Sequence, residues 1–435
     1  MPSLQCIILS FLATFSSFTT AVPLKAHQGS VQDIIINKDN TINGTNTPSV
    51  PLSGFSAGAP LDISIVNNKS GSGSLNAYIT GRDSTGAVVF LSPSGDWYYP
   101  DPEGSTSPME IFEDMALPLS GFGGSRTFTL PGYITAARIW IAEGGLNFYA
   151  LASDGTQLVE PSFANPADPS AMVDWGFVEL TYTADGIWAN LSFVDFVSMV
   201  LGMNLRLGSG EVQARKGLKA GAVESICKAL NAQTAVDGQP WGDMCITDGS
   251  GNPLRILAPN MYARINGTAF QDYFDDYIEQ VWSHYTTHNL TIDTQSGPGL
   301  VNCHVEGGYN LFCDGDNRSY CKPSAADIFG CNSGPFALID GDNDVHQAVV
   351  PRLCAAFNRG TLLGAGGNVQ PSLGSDSYYQ TSPNNHYSRI VHQYEADGLG
   401  YAFSYDDVNP SGENEAGLVA GPDPKLLEIV IGGSS

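Results

Sequence analysis

Asp174-Trp-Gly-Phe-Val-Glu-Leu-Thr-Tyr-Thr-Ala-Asp-Gly-Ile-Trp-Ala-Asn-Leu-Ser-Phe-Val-Asp195 is the stretch on which the reading of this 435-residue chain turns. Asp185-Gly186 is a strong short-range signal for a two-residue hairpin turn, because both central positions of such a turn need positive φ. Placing Ala184 opposite Ile187 pairs Leu180 with Leu191, Val178 with Phe193 and Tyr182 with Ala189 on one apolar side. The other side then pairs Glu179 with Ser192, Thr181 with Asn190 and Thr183 with Trp188. One face is core; the other is a polar strip with an indole, which suits sugar hydroxyls and a pyranose face. An ordinary solvated sheet face is the competing reading of the same strip.

Asp195 has the wrong parity for that strip, since an ideal ladder places it with Leu191 and Phe193. An unpaired carboxylate is costly in a core. Either the strand ends or bulges after Phe193 and turns Asp195 towards Glu179, or Asp195 pairs a buried donor.

Outward from the hairpin, short alternating segments recur between turn signals at Leu61 to Val66, Leu75 to Thr80, Ala87 to Leu91, Ala136 to Ala142 and Leu146 to Leu151. They specify an antiparallel barrel or sandwich. After Gly208 helical periodicity appears at Ala220 to Ala232, Ala269 to Thr287 and Gln347 to Asn358. Strand character returns at Tyr401 to Tyr405 and Leu426 to Ile431, which can rejoin the first sheet. The expected organisation is a β domain from residues 51–205 and 385–435, with a mixed α/β domain from 206–384 between its halves.

Composition agrees with a turn-rich β protein, since 49 Gly and 26 Pro accompany 42% hydrophobic and only 14% charged residues. Nineteen Lys and Arg face 44 Asp and Glu, and the net charge of −25 repels nucleic acid and anionic membranes. A neutral polysaccharide remains admissible as a partner. The apolar run Cys6 to Phe18 followed by Thr19-Thr20-Ala21 reads as a signal peptide over 1–21, and 22–50 as a flexible leader. Sequons at Asn43, Asn68, Asn190, Asn266, Asn289 and Asn317 agree with secretion, although a glycan on Asn190 would obstruct the polar strip. With Cys6 removed, seven cysteines remain, enough for three disulfides with one left over.

Three other motifs fail on context. Gly54-Phe-Ser-Ala-Gly58 matches a nucleophile elbow, but Pro51 precedes it and a strand follows where a helix is required. His284 and His288 have zinc-binding spacing, yet Tyr285 stands where the catalytic Glu belongs. Asp340-Gly-Asp-Asn-Asp344 opens like a calcium loop, but Val345 and Pro351 occupy the positions of the invariant Gly and the bidentate Glu. No cofactor or metal is expected.

Pro161-Ser162 with Asn165-Pro-Ala-Asp-Pro169, Trp175-Gly-Phe-Val-Glu-Leu-Thr-Tyr182 and Ala189-Asn-Leu-Ser-Phe-Val-Asp-Phe196 closely resemble glycoside hydrolase family 64. Ala326-Asp-Ile-Phe-Gly-Cys331, Ala355-Ala-Phe-Asn-Arg359 and Gly400-Tyr-Ala-Phe-Ser-Tyr-Asp-Asp-Val408 fit as well, so the resemblance spans about residues 51–433. It implies a secreted, monomeric β-1,3-glucanase with a thaumatin-like barrel, an α/β domain and a wide groove between them. It further implies Glu179 as general acid and Asp195 as general base of an inverting hydrolase that releases oligosaccharides such as laminaripentaose. Thr181, Trp188 and Ser192 match groove positions; Thr183 shares their face, and Asp168 is a further match in a turn context. The cluster Trp97-Tyr98-Tyr99 offers either sugar-stacking or core aromatics. A non-catalytic glucan-binding protein on the same scaffold is the alternative, and it would have no need of both carboxylates.

Overall fold

The computed structural model describes residues 58–71, 73–411 and 417–433. The expected signal peptide, the leader and Ser56 of the elbow motif lie outside the described residues. Two sheets dominate. The first runs in the order Val212–Arg215, Leu201–Leu207, Pro424–Ile431, Leu61–Asn67, Ser125–Leu130. The second follows Leu418–Gly421, Gly186–Asn190, Trp175–Thr183, Ile134–Glu143, Leu75–Asp83, Val88–Leu91, Trp97–Tyr98, with Leu117–Pro118 beside Leu75–Asp83.

Alternation explains how they pack. Leu61, Ile63 and Ile65 on one strand, and Leu427, Ile429 and Ile431 on its parallel neighbour, turn to the same side, with Ile63 level with Leu427. They meet Ile79, Ile139, Val178 and Leu180 of the second sheet in one core. Each such side chain contributes roughly 1.5–3 kcal/mol on burial. The opposite face of the second sheet is also covered, because Tyr78, Trp140 and Trp175 form a separate cluster with Phe148, Leu158, Phe196 and Leu257. Phe148 precedes and Leu158 belongs to a small sheet of Met109–Glu110, Tyr149–Ala152 and Thr156–Val159, while Phe196 and Leu257 pair in another small sheet. A roof therefore lies over the Trp140, Trp175 and Phe177 end of the face that carries Glu179.

The main core continues into the helices. Ile226 and Leu230 of helix Ala222–Asp237, Val281 of Asp275–Tyr285, Phe357 of Asp344–Arg359 and Ile390 of His386–Tyr394 all join the cluster that holds Ile63. Helix starts follow their caps: Asn343 accepts from the His346 amide and Asn385 from the Ser388 amide, and Ser324 and Asp327 form a capping box. Disulfides join Cys227 to Cys245, Cys303 to Cys313 and Cys331 to Cys354, leaving Cys321 outside the three. No helix among the described residues is long and apolar enough to cross a membrane.

Three sequence expectations need correction. The hairpin register is displaced by two residues: Glu179 faces Asn190, Leu180 faces Ala189, Thr181 faces Trp188 and Thr183 faces Gly186. Ala184 and Asp185 are the turn residues, the Asp185 amide donates to Thr183 Oγ1, and Gly186 opens the second strand at φ 137°. A shift of two preserves parity, so each side chain keeps its expected face although its partner changes. Secondly, Tyr401–Tyr405 is not a strand; the Ala402 amide donates to Asp406 Oδ2 and closes a turn, leaving Tyr401 with one bridge to Ser192. Thirdly, the helix expected from Ala269 begins only at Asp275, because Phe270 adopts a left-handed φ of 59°.

Candidate active site

Glu179 stands in a lateral row across four neighbouring strands: Thr80, Arg138, Glu179 and Asn190 are successive cross-strand partners. Central to the row is Arg138. A bulge helps aim it, since both neighbours of Ile134–Glu143 change register beside Ala136, whose φ is 45°. The Arg138 guanidinium lies 4.5 Å from the Phe177 ring centre and 5.6 Å from that of Trp140. Its Nη2 donates to Glu179 Oε1 at 3.2 Å and its Nε to the same oxygen at 3.4 Å. Its Nη1 makes a closer ion pair with Glu160 Oε2. Glu179 and Glu160 are each only 4% exposed, so the acid end of the strip is deeply recessed, against the reading of an ordinary solvated sheet face.

Asp195 reaches the same field by leaving the sheet. Pairing with the Glu179 strand stops at Asn190; Ser192 then bridges to Tyr401, and Phe196 and Val197 pair with Leu257 and Ile256. The departure falls earlier than the expected point after Phe193. The Asp195 carbonyl accepts from the Ala258 amide, and the Phe193 carbonyl accepts from Tyr387 Oη at 2.6 Å. Burial pushes the Asp195 carboxyl above its ordinary value, with Arg138 and Arg264 pulling it back. Glu160 is pushed up to about 7 by burial, with Glu179 adding to the rise and Arg138 opposing it.

The remaining candidates separate into two groups. Thr181 is buried beside Glu179, and Trp188 faces it across the hairpin, half-buried. Ser192 and Thr183 are also half-buried, the former accepting from the Val194 amide and the latter engaged in the turn. Asp168 lies elsewhere: one of its oxygens accepts from the Ser162 amide and the other from the Ser170 amide, so it braces its own loop. The Trp97-Tyr98-Tyr99 cluster divides likewise. Trp97 packs on the main core, Tyr98 against Phe90, and Tyr99 is exposed with its hydroxyl on Asp83. The residues that sequence reasoning missed are Arg138 and Glu160. A single charge amid the apolar residues 136–142 of strand Ile134–Glu143 was the available signal, because a buried guanidinium needs a compensating acceptor.

The family model described as Beta-1,3-glucanase matches residues 59–431, and those residues contain every member of this constellation. The chain belongs to glycoside hydrolase family 64. Two curated relatives, both glucan endo-1,3-β-glucosidases, come from Cellulosimicrobium cellulans and Arthrobacter sp. (strain YCWD3). They are 29% and 28% identical over 367 residues, which is 83% of this chain. The matched region spans 63% of each relative's length. Among solved structures, a laminaripentaose-producing β-1,3-glucanase in complex with laminaritetraose aligns with a TM-score of 0.76 at 27% identity, covering 86% of this chain and 98% of that one. A family 64 β-1,3-glucanase domain from Clostridium beijerinckii aligns at 0.66 and 23% identity, over 86% of this chain and 98% of that one, and shares the fold. The architecture described above, mainly β with helices and three disulfides, is thus a family 64 fold.

Proposed function

We propose that this chain is a secreted, monomeric, endo-acting hydrolase of β-1,3-glucan that works with inversion and releases short oligosaccharides such as laminaripentaose. The substrate would lie in a wide groove of a thaumatin-like fold, over Thr181, Trp188 and Ser192. The observation that carries the reading is the convergence of Glu179 and Asp195 on the field of one guanidinium, from two segments of opposite parity. The laminaritetraose bound by the relative supports the substrate class.

In this reading protonated Glu179 donates to the departing glycosidic oxygen while ionised Asp195 takes a proton from the water attacking the opposite face. Inverting enzymes hold such carboxyls roughly 6.5–9.5 Å apart to leave room for that water. A raised carboxyl value suits Asp195 as base, because a stronger base withdraws the water's proton more readily, at the cost of an acid limb displaced towards neutral pH. Glu179→Gln removes the proton donor and Asp195→Asn the base; each should lower turnover on linear β-1,3-glucan by about 10²–10⁴-fold with glucan binding retained. Nuclear magnetic resonance of the first products should show the α-anomer. Wild-type binding without sugar release would identify a glucan-binding protein instead, and β-anomer products would exclude inversion.

A further inference from the structure

Arg138 has three carboxyls in its field, Glu160 from the end of the Thr156–Val159 strand, Glu179 from the hairpin and Asp195 from the segment beyond it. Arg264 adds a positive charge that acts on Asp195. Tyr387 faces Asp195 from helix His386–Tyr394 and is neutral at working pH, because burial pushes its phenol well up. The buried Glu160 and Glu179 and the half-buried Asp195 thus outnumber the buried Arg138, and the exposed Arg264 offsets only part of the excess, which a recessed site relieves by retaining a proton. Where that proton sits depends on how Arg138 divides its donors. Glu160 takes the close Nη1 contact, which opposes the rise that burial gives its carboxyl, while Glu179 Oε1 receives two longer contacts from Nη2 and Nε. The other Glu160 oxygen, Oε1, is buried with no hydrogen-bond partner among the described residues.

We propose that Glu160 is a positioning residue for the reaction: it draws Arg138 away from Glu179 and so keeps the catalytic proton on Glu179. This rests on the assignment of Glu179 as the acid. Without the Glu160 charge, Arg138 turns wholly to Glu179 and favours its ionised form, as an adjacent guanidinium does for any carboxyl. The enzyme then loses its proton donor at a lower pH.

The test is the pH dependence of kcat/KM on linear β-1,3-glucan for wild type, Glu160→Gln, Glu160→Asp and Glu179→Gln. The alkaline limb reports the acid of the free enzyme. Glu160→Gln, which preserves volume, should move that limb down by about one pH unit or more, a loss of roughly tenfold on the alkaline side, with the acid limb and KM nearly unchanged. Glu160→Asp keeps the charge but shortens its reach, and should give a smaller shift in the same direction. It decides the matter should Glu160→Gln fail to fold. An unmoved or upward-moved alkaline limb overturns the proposal, whatever the absolute activity. Activity retained in Glu179→Gln overturns the acid assignment and this proposal together, which distinguishes the two failures.

Discussion

Replacing Tyr387 by Phe tests how the segment carrying Asp195 is held. Tyr387 is fully buried, and its hydroxyl donates at 2.6 Å to the carbonyl of Phe193, itself buried and two residues before Asp195. The same residue's amide donates to the Tyr401 carbonyl, so Phe193 is pinned at both backbone groups. Phe in place of Tyr387 keeps the ring packing and strands one buried carbonyl, a loss of about 1–3 kcal/mol. Urea titration should show it as a lower midpoint with an unchanged slope. The effect on rate follows from geometry: a misplacement of the order of 1 Å at a reacting group costs about 10²-fold, so a partly relaxed segment should lower kcat by about ten- to a hundredfold. KM should change less than kcat, because Thr181 and Trp188 stand on the hairpin strands and only Ser192 shares the loosened segment. A variant within about 0.5 kcal/mol of wild type and with the same kcat would refute the idea that this bond holds Asp195 in place.

Two further predictions concern the frame around the site. Gly186→Ala should destabilise the protein by roughly 1–3 kcal/mol in the same titration, since φ is 137° there and a Cβ would come 2.4 Å from the Gly421 carbonyl oxygen. His392 donates to or shares protons with Glu395 at 2.8 Å and Asp406 at 2.9 Å, and these carboxylates raise its value well above the ordinary one against the opposing effect of burial. A histidine with a raised folded value stabilises fully below its unfolded value of about 6.5 and loses the effect only as pH rises through the raised one. His392→Gln should therefore be less stable than wild type by about 3–5 kcal/mol at pH 6, with the gap narrowing on the alkaline side as His392 deprotonates and in strong acid as Asp406 protonates. A gap that is constant with pH would show that His392 acts by packing alone.

Alternation made most of the β framework legible, because Ile63, Ile65, Val178 and Leu180 bury whichever partner strand they meet. Face assignment in the hairpin survived for the same reason, whereas its register did not. The choice between Asp185-Gly186 and Ala184-Asp185 as turn residues depends on the Thr183 hydroxyl and on the close approach of Gly421 to Gly186, a contact across 235 residues of chain. Helix Asp344–Arg359 was readable from its period and the Asn343 cap, but Tyr401–Tyr405 was not, since Asp406 there serves Arg359 and His392 rather than a strand. Of the candidate site, Glu179 was legible through motif and parity, and Asp195 through the motif against its parity. Glu160 and Arg138 were not paired in advance because they meet only when a small sheet folds over the large one, a contact that has no periodicity to announce it.

The parallel pairing of Leu61–Asn67 with Pro424–Ile431 has a consequence for biogenesis. Pro424–Ile431 occupies the middle of its sheet, between Leu201–Leu207 and Leu61–Asn67. Until that late segment leaves the ribosome, two early strands face each other across an empty lane and expose unpaired edges suited to edge-to-edge aggregation. The disulfide-bearing segment is by then already outside, and its Cys303–Cys313 hairpin is local enough to form first. Closure of the first sheet thus becomes the late, long-range step of maturation, and the interval before it is when this chain most needs chaperone protection.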